Sequence, residues 1–165
     1  MKKQCSILLL VLLISMGCGV YTFKGSTLPN HLKTVDIPLF INESLQPGVA
    51  EYITEELQKN IQENNILETV PDEGNATING KVLSYRNHPY TYGSESTREV
   101  NVTSYTVTIS IEIEFLDNQK DKVLYKGIIT QDGIYDFGSE TEEDGKKRAI
   151  KKITDQIIQN SVQSW

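Results

Sequence analysis

The chain has 165 residues, 38% hydrophobic and 23% charged, with 11 Gly and 5 Pro. This is the composition of one ordinary globular domain, and it excludes collagen, coiled coil, low-complexity linker and multi-span membrane protein. The balance of 16 basic against 22 acidic residues gives a net charge of −6, which offers no attractive field to a phosphate backbone and sets nucleic acid aside as a partner.

Lys2 and Lys3 lead into an apolar run from Cys5 to Ile14 broken by Ser6, and Ser15-Met16-Gly17-Cys18-Gly19 follows. Basic start, short apolar stretch and small residue before the cut are the order of a secretory signal. Ten residues of helix rise about 15 Å, half of a hydrocarbon core of roughly 30 Å, so the run does not span a bilayer. The small residue followed by Cys18 resembles a bacterial lipobox, with Ser15 where that pattern has Leu. The resemblance implies a diacylglycerol on the Cys18 sulfur and cleavage just before it. Residues 1–17 are then a lipoprotein signal peptide, 18–33 an acylated tether and 34–165 a single α+β domain. Gly19, rather than an Asp that would retain the protein at the inner membrane, implies an outer-membrane address facing the periplasm. Cys5 leaves with the leader and Cys18 is acylated, which leaves no thiol for a disulfide, a nucleophile or a metal site. Without Lys2 and Lys3 the mature chain carries 14 basic and 22 acidic residues, a net −8.

In the mature chain, Val35, Ile37 and Leu39 alternate with Asp36 and Pro38, predicting a short strand that Pro38 pushes to an edge or ends. Pro47-Gly48 opens a helix whose apolar stripe is Val49, Ala50, Ile53, Leu57 and Ile61, and Asn64-Asn65 closes it. A strand is expected over 76–86. The clearest strand is 101–115, with Tyr105, Val107, Ile109, Ile111, Ile113 and Phe115 on one face. Ser104, Thr106, Thr108, Ser110, Glu112 and Glu114 take the other, the pattern of an antiparallel strand with one face on a core. Residues 117–121 turn the chain into a partner strand over 123–131. Ser139 and Glu142 fit a capping box ahead of a helix lined by Ala149, Ile150, Ile153, Ile157, Ile158 and Val162 and closed by Trp165. The expected fold is α+β in two layers: about four mainly antiparallel strands with two helices on one face, in the order β-α-β-β-β-α.

The chain shows no catalytic machinery: no Gly-rich phosphate loop, nucleophile elbow or metalloprotease motif. His31 and His88 stand in no metal-ligand spacing, and nothing calls for a cofactor. Glu112 and Glu114 share the open face without a basic partner beside them in sequence. Lys146, Lys147 and Arg148 follow Glu142, Glu143 and Asp144 by four residues, the favourable acid-first order of a solvated helix. Two features point instead to contact with a partner. Hydroxyls such as Thr106 and Thr108 on the open sheet face can exchange water for partner hydrogen bonds. The stretch 86–93, read as a long loop, carries Tyr90 and Tyr92.

The stretches Cys18-Gly19-Val20-Tyr21-Thr22-Phe23-Lys24-Gly25, Leu28-Pro29 and Thr34-Val35-Asp36-Ile37-Pro38-Leu39-Phe40-Ile41-Asn42, with the Ile-rich closing helix, resemble the LptE family of lipopolysaccharide-assembly lipoproteins. The resemblance implies a sheet with two helices on one side. It implies a non-catalytic subunit of the lipopolysaccharide translocon that plugs an LptD-type outer-membrane β-barrel and assists its assembly. Some members of the family bind lipopolysaccharide through basic residues; the candidates here are Arg86, Arg98, Lys120 and Lys122. Two other readings share parts of this pattern. One is a lipoprotein scaffold or pilot for a different envelope complex. The other is a small lipid-anchored enzyme or ligand binder, which would need a deep pocket with convergent polar groups.

Overall fold

The computed structural model describes residues 28–90 and 103–162. The expected signal peptide over residues 1–17, Cys18, Tyr92, Arg98 and Trp165 lie outside the described residues. Among those described, the elements run β1 (Thr34–Asp36), β2 (Ile41–Asn42), α1 (Val49–Glu63), β3 (Glu68–Val70), β4 (Ala76–Tyr90), β5 (Ser104–Asp117), β6 (Lys122–Asp136) and α2 (Glu142–Val162).

The expectation of two helices on one face of a sheet holds, but the sheet is larger and mixed. Its strands lie in the order β3-β1-β4-β5-β6, and β2 pairs with β4. The β4–β5–β6 meander is antiparallel, whereas β1 pairs in parallel with both β3 and β4, and β2 with β4. Topology explains the correction to a four-stranded antiparallel sheet. Between β1 and β3 the chain crosses over through α1 and returns in the same direction, as a parallel pair requires. Three-residue β3 is too short to show a period. Pro38 does interrupt the first strand: β1 ends at Asp36 and β2 resumes the line two residues beyond Leu39.

In β5 the alternation becomes layering. Val107, Ile109, Ile111, Ile113 and Phe115 are completely buried under the helices. From α1, the Val49, Ala50, Ile53, Leu57 and Ile61 stripe joins the same core, together with Ala149, Ile150, Ile153, Ile157 and Ile158 from α2. Two bulges, at Val82/Ser84 in β4 and at Phe115/Leu116 opposite β6, re-phase the strands, so that Ile78 and Val82 before the first bulge share the helix face with Tyr85 and Asn87 after it.

The helix starts differ in detail from the sequence expectation. Pro47 lies in the turn before α1, whose N-cap is Gly48 at φ +74°. At α2 the cap is Thr141 rather than Ser139. The Thr141 N–H and hydroxyl both donate to the Asp144 carboxylate, at 2.9 and 2.7 Å, the reciprocal half of a capping box two residues later than the Ser139–Glu142 pair. Glu142 is thereby free for a different task.

Close packing sets both helices on the sheet. A Cβ on Gly133 of β6 would lie 1.8 Å from the Gly145 carbonyl oxygen and 2.7 Å from the Ala149 nitrogen of α2, so backbone touches backbone there. On the α1 side the Phe40 ring covers Gly80, where a Cβ would be 2.3 Å from it, and the Phe40 N–H donates to the Thr54 hydroxyl at 3.1 Å. Across the helices, the Asn60 amide donates to Asp155 at 2.9 Å.

Candidate functional site

Both helices cover one face of the sheet, and the described residues leave the other uncovered. The strand register orders the uncovered face in rows: Arg86–Thr108–Asp132, His88–Thr106–Ile134 and Ser84–Ser110–Thr130, then Lys81–Glu112–Ile128 and Asn79–Glu114–Lys126. Ile41 extends the Lys81 row through β2, and Ile41 and Ile128 are 60% and 66% exposed. A shallow groove of about 610 Å³ on this face is lined by Arg86, His88, Thr108, Thr130 and Asp132, with Asn87 at its rim.

The polar groups of the face bond sideways, between β5 and β6. The Thr108 hydroxyl donates to Asp132 at 2.6 Å, the Ser110 and Thr130 hydroxyls are 2.9 Å apart, and the Ser104 hydroxyl donates to Asp136 at 2.8 Å. Glu112 and Glu114 do have a basic partner, though across the strands rather than along the sequence. The Lys126 ammonium stands 2.9 Å from Glu114 and 4.0 Å from Glu112, and this contact holds the lysine pKa above its ordinary value.

Among the described residues, those predicted for partner and lipopolysaccharide contact do not form one cluster. Thr106 and Thr108 stand on the uncovered face as the alternation requires, but they are only 2% and 7% exposed. They are therefore not the wettable hydroxyls expected. Each sits between longer neighbours on the flanking strands, and the Thr106 hydroxyl is buried without a hydrogen-bond partner among the described residues. The stretch Arg86–Tyr90 is strand, not loop, since β4 pairs with β5 as far as Tyr90↔Ser104. Pro89 is tolerated because, among the described residues, β4 beyond Val82 has β5 on one side and an open edge on the other. Lys120 lies in the β5–β6 turn and Lys122 opens β6. Nine residues of β5 separate the row of Arg86 from the Asp117–Lys122 pair, about 30 Å at the rise of a strand.

Two arrangements escaped the sequence reading. At the far end of the sheet, the Tyr85 hydroxyl and the Asn87 amide both donate to the Glu142 carboxylate, at 2.6 and 2.9 Å, and Asn87 also donates to the Tyr135 hydroxyl at 2.9 Å. Desolvation, followed by the Glu142 bond, pushes the Tyr85 hydroxyl well above the ordinary tyrosine range. Their spacing at i, i+2 on the helix face was the signal, hidden by reading 86–93 as loop. The second is the basic run of α2. The Arg148 guanidinium grips Glu140, beyond the helix start, and donates to the Ile134 carbonyl at 2.6 Å, while Lys152 donates to the Asp132 carbonyl at 2.7 Å. Only Lys146 pairs within the acidic cluster, with Glu143. Among the described residues no group of His, Cys, Asp and Glu is placed to hold a metal, and no helix is long and apolar enough to cross a membrane.

The described residues thus form a two-layer α+β domain with one sheet face shielded by helices and the other left uncovered. The comparisons with known proteins give it a family. The LptE family model, described as lipopolysaccharide-assembly, matches residues 32–161, and the chain belongs to that family. It is thus a non-enzymatic lipopolysaccharide-assembly lipoprotein of the cell envelope. No curated protein matches the chain.

Similar solved structures include the hypothetical protein CT253 from Chlamydia trachomatis, with TM-score 0.54 and 8% identity over 78% of this chain and 97% of that one. The PelC dodecamer subunit from Paraburkholderia phytofirmans gives TM-score 0.52 and 12% identity over 79% and 86%. Protein XCC0632 from Xanthomonas campestris gives 0.51 and 9% over 76% and 81%. At such identities these similarities establish the fold alone.

Proposed function

We propose that the protein is the lipoprotein subunit of a lipopolysaccharide translocon, held at the outer membrane by acylated Cys18 and seated in the lumen of an LptD-type β-barrel with its uncovered sheet face against the wall. The observation that carries this reading is the face itself. Its hydroxyl, carboxylate and ammonium groups bond to one another across β5 and β6, so a polar wall can replace water without stranding them. Exposed Ile128 and Ile41 add apolar contact at the same level. Thr106, Thr108 and Tyr90 then lie in the contact zone, with Tyr92 beyond the end of β4. Arg86 in the groove is the best-placed cation for a lipopolysaccharide phosphate. Arg98, Lys120 and Lys122 are secondary candidates, the lysines at the opposite end of the sheet from Arg86.

Purification of the tagged protein from outer membranes in mild detergent tests the reading. The expected result is co-elution of a large LptD-type β-barrel, reduced by Ile128→Asp, which places an uncompensated charge on the contact. Elution with a different envelope partner, or with none, overturns it. Mass spectrometry of the mature N-terminus tests the anchor separately; an unmodified Cys18 thiol would remove it.

A further inference from the structure

Where the described chain begins, Leu28 packs half-buried against the core, and one pair of side chains supplies the polar attachment to the foot of the sheet. His31 Nε2 lies 2.7 Å from Asp117 Oδ2, across 86 residues of sequence. The Asp117 side chain is 1% exposed and that of His31 24%. The other Asp117 oxygen accepts the backbone N–H groups of Gln119 and Lys120, at 3.0 and 3.1 Å, and so closes the β5–β6 turn. Burial pushes this carboxyl upward. The His31 hydrogen bond, the Lys120 N–H, the His31 charge and the Gln119 N–H outweigh it and hold it below its ordinary value.

The attachments of this segment divide at Leu32. Leu32 is buried in the core, and from there on the backbone has other partners. The Lys33 and Thr34 N–H groups donate to the Asn75 side-chain oxygen at 3.1 and 3.3 Å, and the Lys33 carbonyl accepts from the Glu68 N–H at 3.0 Å. Residues 28–31 form a single turn, closed by the Leu32 N–H on the Pro29 carbonyl at 2.9 Å, and His31 ties that turn to the sheet. Other charged groups surround this end. Lys122 faces Asp117 in register on β6, Lys120 and Asp121 occupy the turn, Asp72 and Glu73 precede β4, and Lys33 and Glu68 lie beyond His31. Of these side chains, His31 is the one placed at 2.7 Å from the Asp117 carboxylate.

We propose that the His31–Asp117 pair is an acid-released clasp on the N-terminal segment. With Asp117 ionised, residues 28–31 are held to the foot of the sheet; when Asp117 takes up a proton they come away while the sheet and helices stay folded. The proton removes the carboxylate charge and turns one oxygen into a hydroxyl, so the charge-assisted hydrogen bond with His31 is lost and a weaker neutral one is what remains. Because the folded carboxyl is depressed, the hold is present above the ordinary carboxylate range and is lost as pH falls through the folded value. At neutral pH the clasp fixes the end of the domain from which the preceding chain departs. The inference does not depend on which partner the sheet face meets.

Hydrogen exchange read by mass spectrometry on the full folded chain, with rates corrected for intrinsic pH dependence, tests the clasp. In the wild type, protection of a peptide spanning 28–33 is expected to fall about tenfold or more between neutral pH and about pH 2.5, while peptides from β5 and α2 keep theirs. His31→Gln leaves the turn cap of Asp117 in place. Within that peptide it is expected to expose the amides up to Leu32 already at neutral pH and to abolish the further response to acid, while the Lys33 N–H stays on Asn75. Asp117→Asn is expected to behave similarly. Unchanged protection of 28–33 in His31→Gln overturns the proposal. So does loss of protection in the wild type only together with β5 and α2, since Asp117 would then act on the whole fold.

Discussion

On β5, Val107, Ile109, Ile111, Ile113 and Phe115 look toward the helices and are fully buried, while Ser110, Glu112 and Glu114, one residue along each time, look the other way and bond across to β6. One strand serves two kinds of neighbour. The helix side is held by shape, down to backbone contact at Gly133 and a ring over Gly80, so it tolerates no added atom. The other side is held by lateral hydrogen bonds, which neither require nor exclude a covering layer. In a domain that docks, this division keeps folding independent of the partner.

Substitutions on the two faces should therefore differ widely in cost. Gly133→Val is expected to have the largest effect, about 3–5 kcal/mol, because its branches would enter the Gly145 carbonyl; a urea titration should show the midpoint collapse. Gly80→Ala should cost about 1–3 kcal/mol by displacing the Phe40 ring, with the midpoint lowered and the slope unchanged. At the boundary between the faces, the Arg148 hydrogen bond, then the Asp136 backbone N–H, hold the Glu140 carboxyl down to about 2. Its stabilising contribution is present above the ordinary glutamate range and is lost as pH falls toward that value. Glu140→Gln should accordingly flatten the decline of the unfolding midpoint between neutral pH and pH 2. On the uncovered face, Lys126→Ala should shift stability by no more than about 0.5 kcal/mol, since its pairs are solvent-exposed. Thr106→Val should be neutral or slightly stabilising, because it removes a buried hydroxyl that has no partner among the described residues. A Thr106→Val cost above about 2 kcal/mol would contradict this division of the faces.

The elements legible in the sequence were those whose period is long enough to repeat. The alternation of β5, the stripe of α1 and the Ile-rich face of α2 gave both layers and assigned the helices to the apolar side. The parallel part escaped, because β1, β2 and β3 are two or three residues long and their pairing depends on a crossover that no local pattern encodes. Pro89 concealed the upper half of β4, since a proline argues against a strand unless one edge is open, and edge status is a property of the whole sheet. Alternation also identified the uncovered face correctly but not its exposure. Whether Thr106 meets water depends on His88 and Ile134 on the strands beside it. Long-range polar pairs were equally silent: Glu114 with Lys126, and His31 with Asp117, are each made by chain reversal.

The reach of Arg148 and Lys152 over β6 has a consequence for the molecule before it meets any partner. β6 closes the sheet at one side, and bare main-chain acceptors along such a border invite a neighbouring copy to zip on as the next strand. Occupying the carbonyls of Asp132 and Ile134 with long cationic side chains blunts that border against the addition of a further strand.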